Sequence, residues 1–260
     1  MPLLTAAAFA LTGFVAIVPA SAAGANYVAL GDSYASGVGS GSYTAESGSC
    51  LRSTLAFSQL WANGHAPSSY RSVACSGAKT TDVNANQLSA LSSSTTLVSI
   101  VIGGNDVGFS QVMQDCVLYS TDTCVSEVNA AETKARNELP AWLDTTYNGI
   151  RSHAPNARVI VVDYPRFYHD LWYCVGLSST DRNKINEGAD VLDGVISAAA
   201  TRHSFSFADV RPAFAAGHEI CDSGSWLHSI DWSNVTQSYH PTAAGQSGGY
   251  LPAFTALAGA

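Results

Sequence analysis

The feature that most constrains the fold is a series of short apolar runs separated by segments with helical spacing. The runs, which predict β-strands, cover residues 26–31, 70–74, 97–102, 158–164 and, more weakly, 204–208. The last three lack a clean alternation of apolar and polar residues, which is typical of strands buried on both faces of a parallel sheet. Helical spacing is found over 55–61, 127–153 and 181–202. Strands that alternate with helices predict an α/β fold built around a central parallel sheet.

The helical segments carry further detail. Over 181–202, one helical face predicts a stripe that packs into the core, formed by Ile185, Ala189, Leu192 and Ile196. Pro140 interrupts the segment 127–153, because proline removes a backbone donor from the helix. In parallel sheets, binding sites gather at the carboxyl ends of the strands. We therefore look for chemistry in the turns that follow the predicted strands.

The first segment predicts export from the cell. Residues 1–23 are uncharged and apolar through Val18, and small residues follow, including the pattern Ala20-x-Ala22. This order is typical of a cleaved signal peptide, although the Lys or Arg usual near the start is missing. The true translation start is therefore left open, and an uncleaved membrane anchor is the alternative. We predict a signal peptide over 1–23, a single domain over 24–260 and an extracellular location.

Composition excludes one class of partner. The chain has 12 basic and 20 acidic residues, a formal net charge of -8 and no basic run. Nucleic-acid binding needs clustered Lys and Arg, so we expect no nucleic-acid partner. No segment after the first is apolar enough to span a bilayer, so contact with lipid surfaces is expected to be transient at most. Nothing in the sequence demands more than a monomer.

The six cysteines favour disulfides over a metal site. They are Cys50, Cys75, Cys116, Cys124, Cys174 and Cys221. An even count in an exported chain favours three disulfides, although the sequence leaves 15 connectivities open. Zinc is the rival interpretation, but no Cys-x-x-Cys pair is present and the spacings are wide. We therefore expect no metal, and no organic cofactor is implied.

Four short motifs place reactive side chains after the predicted strands or near the carboxyl terminus. They are Gly31-Asp32-Ser33-Tyr34, Cys75-Ser76-Gly77-Ala78, Gly103-Gly104-Asn105-Asp106 and Tyr239-His240-Pro241-Thr242. Acyl transfer needs a nucleophile, a base that removes its proton, and donors aimed at the oxyanion. Ser33 supplies a hydroxyl, and His240 supplies a base near neutral pH. A glycine at position 77 lets the backbone approach a substrate closely.

Taken together and in this order, the four motifs resemble the SGNH hydrolases, also called the GDSL esterase/lipase family. The resemblance runs from about Val28 to Gln246 and includes the block Asp163-Tyr-Pro-Arg166. It implies a three-layer α/β/α, flavodoxin-like fold and a secreted serine hydrolase that cleaves carboxylic esters of lipids. It assigns Ser33 as nucleophile, His240 as base, and the backbone N–H groups of Ser33 and Gly77 with the Asn105 carboxamide as the oxyanion hole. It also implies the pairs Cys50–Cys75, Cys116–Cys124 and Cys174–Cys221.

One position departs from the family pattern. The family commonly has an aspartate three residues before the histidine, and this chain has Gln237 there. A backbone carbonyl can orient the imidazole instead, and Ser238 is the first candidate, with Gln237 next. Asp231 and Asp222 could also approach from the preceding loop. A neutral carbonyl fixes the tautomer but stabilises the imidazolium less than a carboxylate does.

Other interpretations remain open at this stage. The same machinery could act as an acetyl esterase on acetylated polysaccharide, or the chain could be a non-catalytic binding module with the same fold. Gly245-Gln246-Ser247-Gly248-Gly249 matches the nucleophile pattern of another hydrolase class, but no acid or histidine follows it. The apolar aromatic cluster over 167–173 predicts either core packing or a groove for an acyl chain.

Overall fold

The computed structural model describes residues 24–259, and the predicted signal peptide lies outside them. The chain forms a sheet of five parallel strands in the spatial order β2-β1-β3-β4-β5. The strands are β1 (Asn26–Gly31), β2 (Ser69–Ser72), β3 (Leu97–Val101), β4 (Arg158–Val162) and β5 (Ser206–Ala208). Each lies within or overlaps a predicted apolar run. The α/β fold and the central parallel sheet are therefore confirmed.

Helices connect the strands. They are α1 (Ser33–Ser36), α2 (Phe57–His65), α3 (Thr80–Asp82), α4 (Phe109–Leu118), α5 (Thr121–Asn137), α6 (Leu139–His153), α7 (Ser179–Arg202), α8 (Arg211–Ala215) and α9 (Leu251–Ala258). Shorter 3-10 and π turns cover Ala45–Cys50, Val83–Gln87, Leu88–Ala90, Val235–Gln237 and Gly245–Tyr250.

One helical prediction can be compared with these bounds, together with one helix that lies outside the predicted segments. The segment 127–153 is divided as expected, because Pro140 lies in the first turn of α6, where its missing N–H costs no helical hydrogen bond. The helix α4 was not predicted. Its apolar residues recur at helical spacing, at Phe109, Val112, Met113, Cys116 and Val117, so the periodic pattern was present in the sequence.

Helices cover both faces of the sheet and bury a continuous core. On one side, α2 and α9 pack together, and Tyr27 of β1 contacts Trp61 and Phe254 from these two helices. The other side is covered by α6 and α7, with α5 packed on α7. The predicted stripe of α7 is buried, at Ile185, Ala189, Leu192 and Ile196. The three-layer arrangement follows from these contacts.

The strand order explains where a site can form. In the order 2-1-3-4-5, chain connections leave β1 and β3 in opposite directions, which opens a crevice above their carboxyl ends. The turn after β1 contains Ser33, and the turn after β3 contains Asn105. The turn after β2 brings Gly77 to the same edge. Three of the four predicted motifs are therefore neighbours because of sheet topology.

Three disulfides hold the connecting segments. They join Cys50 to Cys75, Cys116 to Cys124 and Cys174 to Cys221. The first lies beside the Gly77 turn, and the third ties the loop after β4 to the segment after α8. Across residues 24–259, no helix is long and apolar enough to cross a membrane.

Candidate active site

Ser33 is presented by a tight turn between β1 and α1. Gly31 ends β1 with φ +126°, and a Cβ there would lie 2.2 Å from the Val101 carbonyl oxygen, so only glycine fits. Asp32 caps α1 by accepting the Tyr34 N–H at 3.0 Å. The buried Gln87 carboxamide holds Gly31 in place, because it accepts a hydrogen bond from the Gly31 N–H and donates one to the Gly31 carbonyl. The serine hydroxyl is thus held at the sheet edge by a rigid turn.

His240 lies against this serine. Its Nε2 is 2.8 Å from Ser33 Oγ, and its Nδ1 is 3.0 Å from the Ser238 carbonyl oxygen. Because a carbonyl only accepts, Nδ1 must carry the proton and Nε2 must accept from the serine hydroxyl. The Tyr34 hydroxyl donates to the Tyr239 carbonyl at 2.6 Å, which ties the histidine loop to α1. The geometry is that of a serine and its general base.

The groups considered for orienting His240 lie in different places. The Ser238 carbonyl faces the imidazole, whereas the Gln237 carbonyl accepts the backbone N–H of His240 at 3.1 Å. Asp231 accepts from the Gln237 side chain at 2.6 Å, and Asp222 is paired with His169. Of these four groups, the Ser238 carbonyl is the one that lies within hydrogen-bonding distance of the imidazole ring, and neither aspartate contacts it.

Gly77 and Asn105 face the same cleft as the serine. Gly77 has φ +78°, and a Cβ there would project into open space at the cleft, where a substrate would be. The Asn105 Nδ2 donates one hydrogen to the Ala78 carbonyl at 3.1 Å. Asn105 lines the cleft, and its second hydrogen is available to another acceptor. Asp106 accepts from the Thr80 N–H and hydroxyl, and so clamps the two turns together.

A buried tyrosine connects the two sides of the site, and sequence reasoning did not find it. The Tyr164 hydroxyl donates to Asp32 at 2.5 Å and accepts the Gly104 N–H at 3.1 Å. It therefore joins the serine turn to the asparagine turn. Its own backbone N–H donates to the buried carboxylate of Asp193. Tyr164 belongs to the block 163–166 noted in the sequence, but no spacing rule shows which partners its hydroxyl has.

Burial sets the ionisation of the site. Loss of hydration lowers the pKa of His240 to about 4, and the hydrogen bond to the Ser238 carbonyl opposes this only in part. The imidazole is therefore neutral at physiological pH and able to accept a proton. Burial also raises the pKa of Asp32 to about 7, while the Tyr164 hydroxyl acts in the opposite direction. At neutral pH the site thus contains a neutral imidazole at His240 and, at Asp32, a carboxyl group that is about half ionised.

The lowered pKa of His240 predicts the acid limit of activity. We expect the loss of kcat/KM that His240 causes to begin only near pH 4 and to reach about tenfold per pH unit below it, because protonated imidazole cannot accept the serine proton. Hydrolysis of a neutral soluble ester across pH 3–9 measures this. An NMR titration of the imidazole, assigned with a His240→Gln variant, measures the pKa directly.

Acid unfolding has to be separated from this effect. The unfolded imidazole, with a pKa near 6.5, takes up its proton before the folded one, so the contribution of His240 to the free energy of unfolding is lost between about pH 6.5 and 4. Circular dichroism at each pH identifies that contribution. Protonation of the His240 imidazole near pH 6.5 in the NMR titration of folded protein would contradict the assignment.

The four groups open onto one cleft of about 540 Å³. One wall is apolar and is formed by side chains of α4 and of the segment before His240, namely Phe109, Met113, Val117, Leu118, Ile230, Trp232 and Val235. A second cavity of about 50 Å³ lies between α4, α5 and α7, and shares Phe109 and Met113 with the cleft. Its lining is almost entirely apolar. An aliphatic chain that extends from the ester carbon at Ser33 would contact apolar side chains along this wall.

Two other predictions are resolved by position. In the aromatic cluster, Phe167 and Tyr168 are buried in the core, whereas Trp172 is 93% exposed and does not line the cleft. Ser247 lies exposed in the π turn Gly245–Tyr250, with its hydroxyl near the Ala244 carbonyl and not in the cleft. Among the described residues, no three His, Cys, Asp or Glu side chains are grouped to hold a metal ion.

Comparison with known proteins decides the family. A model of the GDSL-like lipase/acylhydrolase family matches residues 29–247, which include every group of the site. The chain belongs to this family. It is therefore a carboxylic ester hydrolase, as the resemblance of its motifs implies. The GDSL family shares the flavodoxin-like α/β/α fold seen here, and the predicted fold class is confirmed.

Relatives of this GDSL protein are similar over nearly their whole length. Lipase 1 of Streptomyces coelicolor is 52% identical over 257 residues, covering 98% of this chain and 96% of the relative. Among solved structures, phospholipase A1 of Streptomyces albidoflavus is 51% identical, with a TM-score of 0.88 over 90% of this chain and 99% of that chain. The extracellular lipase of Streptomyces rimosus is 49% identical, with a TM-score of 0.87 over the same shares.

Proposed function

We propose that the protein is a secreted hydrolase of lipid esters in which Ser33 is the nucleophile and His240 the base. The observation that carries the proposal is the 2.8 Å contact between Ser33 Oγ and His240 Nε2 at the base of an apolar-walled cleft. Relatives named lipase and phospholipase A1 support lipids as the substrate class. The apolar wall and the cavity behind it provide a surface for an acyl chain.

The first half of the reaction forms an acyl-enzyme. Ser33 Oγ attacks the ester carbonyl carbon while its proton passes to His240 Nε2. The carbonyl oxygen becomes an oxyanion, which accepts hydrogen bonds from the Ser33 N–H, the Gly77 N–H and the Asn105 carboxamide. The tetrahedral intermediate then collapses, the ester C–O bond breaks, and His240 returns the proton to the departing alcohol oxygen. The acyl group remains on Ser33.

The second half restores the enzyme by the same path. Water gives a proton to His240 Nε2 and its oxygen attacks the acyl carbon. The second tetrahedral intermediate breaks the bond to Ser33 Oγ, which recovers its proton from His240. Through both steps Nδ1 donates to the Ser238 carbonyl, which keeps the imidazole in the required orientation. An alcohol in place of water would give acyl transfer by the same chemistry.

An extracellular location belongs to the same proposal. Three disulfides are built into the fold, and disulfides persist in oxidising compartments. The relative from Streptomyces rimosus is named as an extracellular lipase. These observations support the predicted signal peptide over 1–23, and N-terminal sequencing of the protein recovered from culture medium would locate the cleavage.

A substrate panel tests the proposed class. The purified protein is assayed on p-nitrophenyl esters from acetyl to palmitoyl, on phosphatidylcholine, on a triacylglycerol and on acetylated xylan, with Ser33→Ala as the blank. We expect hydrolysis of the lipid esters and a preference for medium or long acyl chains over acetyl, because the cleft wall is apolar.

Three outcomes would contradict the proposal. Acetyl esters as the best substrates, together with release of acetate from xylan, would favour an acetyl esterase of polysaccharide. Failure of wild-type protein on every ester, with Ser33→Ala indistinguishable from it, would favour a binding module. Equal activity of both proteins would show that Ser33 is not the nucleophile.

A further inference from the structure

Exposed apolar side chains lie in the cleft and on segments that follow α4 and β4. Leu118, Trp232 and Val235 line the cleft itself and are at least half exposed. Tyr119, Trp172 and Val175 lie outside it, with exposed fractions of 63%, 93% and 91%. These six side chains are called the apolar rim. Side chains of this size, exposed together beside a site, are typical of a surface that contacts an apolar partner.

The segment that carries Leu118 and Tyr119 is linked to the start of the helix that follows Trp172 and Val175. Leu118 and Tyr119 end α4, and Thr121 begins α5 two residues later. The Thr121 hydroxyl lies 3.3 Å from the hydroxyl of Ser178, the residue that caps α7. The loop with Trp172 and Val175 leads directly into that cap. The start of α5 and the start of α7 are therefore held side by side.

The loop that presents Trp172 is fixed to the fold. The Arg182 side chain is almost fully buried and donates to the Asp170 carboxylate and to the Leu177 carbonyl. The Cys174–Cys221 disulfide joins the same loop to the segment after α8. Exposure of the indole therefore does not result from a loosely attached loop. A rigid apolar side chain loses little conformational entropy when a partner covers it.

The charge pattern distinguishes between kinds of surface. The segments 109–133 and 212–260, which carry Leu118, Tyr119, Trp232 and Val235, contain no Lys or Arg. Asp122 and Asp231 lie within them, and the chain has a formal net charge of -8. Arg182, near the outer loop, is engaged with Asp170. An anionic surface would be repelled, since recognition of anionic lipid needs basic residues near the membrane.

We propose that the apolar rim docks the enzyme on a zwitterionic phospholipid surface, which sets the mouth of the cleft against the lipid. The inference rests on the proposed function, because it states that the lipid substrate is bound as part of a phospholipid surface. Trp and Tyr side chains prefer the boundary between headgroups and acyl chains. Their ring faces also attract the quaternary ammonium of choline. The carboxylates beside them add to this attraction.

Vesicle binding measures the docking. Phosphatidylcholine vesicles are titrated with the Ser33→Ala protein, so that lipid is not consumed, and binding is followed by sedimentation and tryptophan fluorescence. We expect Tyr119→Ser/Trp172→Ser to weaken the partition coefficient about 100-fold, at about tenfold for each aromatic side chain removed. The conservative Tyr119→Phe/Trp172→Phe pair keeps the ring faces and is expected to bind within a few-fold of the parent.

Activity on a soluble ester separates docking from folding and from catalysis. With Ser33 intact, Tyr119→Ser/Trp172→Ser should hydrolyse p-nitrophenyl acetate as wild type does, because neither side chain lines the cleft. Hydrolysis of phosphatidylcholine vesicles by this variant should fall by about the same factor as its binding to the vesicles. If the wild-type protein hydrolysed no ester but the Ser33→Ala protein still bound vesicles, the proposed function would be wrong. The docking surface would still be supported.

Three results would overturn the docking surface. The first is equal vesicle binding by the serine variant and its parent. The second is stronger binding to phosphatidylglycerol than to phosphatidylcholine at low ionic strength. The third is a wild-type dimer in analytical ultracentrifugation that becomes monomeric in the serine variant, since the apolar rim would then join two copies of the chain.

Discussion

Replacing Ser33 with alanine is expected to lower kcat about 10⁴–10⁶-fold on any ester that the wild type cleaves. The substitution removes the oxygen that lies 2.8 Å from His240 Nε2, so no acyl-enzyme can form. Ser33 is buried at the start of α1 and alanine is smaller, so the fold and the cleft should be retained. Steady-state hydrolysis of a p-nitrophenyl ester, with active-site titration of the wild type, gives the ratio of the two kcat values.

A double substitution shows whether serine and histidine act as one unit. We expect Ser33→Ala/His240→Ala to be no slower than Ser33→Ala alone, because a base without a nucleophile contributes little. Residual hydrolysis should come from the oxyanion donors, which are untouched. Multiplicative losses in the double variant would instead mean that His240 acts on water independently of Ser33, and the dyad would be wrong. Ser247→Ala is a matched control, since Ser247 lies outside the cleft, and it should retain full activity.

The sheet edge and its reactive side chains could be predicted because their determinants are local. A buried strand followed by a glycine turn specifies where the chain leaves the sheet, and Gly31 precedes Ser33 in this way. Similar turns place Gly77 and Asn105. The periodic stripe of α7 likewise reports its buried face directly. In each case the residues that decide the structure lie within a few positions of one another.

Other parts of the site depend on contacts between distant segments. Tyr164 and Asp32 are 132 positions apart, and no pattern in either segment indicates their hydrogen bond. Gln237 and Ser238 were both candidates for orienting His240, because the choice depends on the direction of two adjacent carbonyl groups. Trp172 lies in an apolar aromatic segment, for which core packing was one prediction, yet its side chain is exposed in the fold. The hydrophobicity of a side chain alone does not decide whether it is buried in the core or exposed on the surface.

Loss of the Asn105 donor is expected to lower kcat about 10²–10³-fold while changing KM little. The Asn105 carboxamide donates to the Ala78 carbonyl at 3.1 Å, and Asn105 lines the cleft, where charge would develop only as the serine attacks. An interaction that strengthens in the transition state affects kcat and not ground-state binding. Kinetics of Asn105→Ala on a soluble ester, measured as separate kcat and KM values, test this directly. Asn137→Ala, at the exposed end of α5, is the matched control.

A structural role for Asn105 would give a different result, because its bond to Ala78 also joins two turns. Loss of that bond would displace Gly77 and would lower the thermal unfolding temperature together with activity on every substrate. We therefore expect Asn105→Ala to unfold within a few degrees of wild type and to bind a neutral substrate analogue equally well. Its affinity for a tetrahedral boronate inhibitor should fall by about the same factor as kcat, since the boronate oxygen occupies the oxyanion position. Unchanged boronate affinity would remove Asn105 from the oxyanion hole and leave the Ser33 and Gly77 N–H groups as its donors.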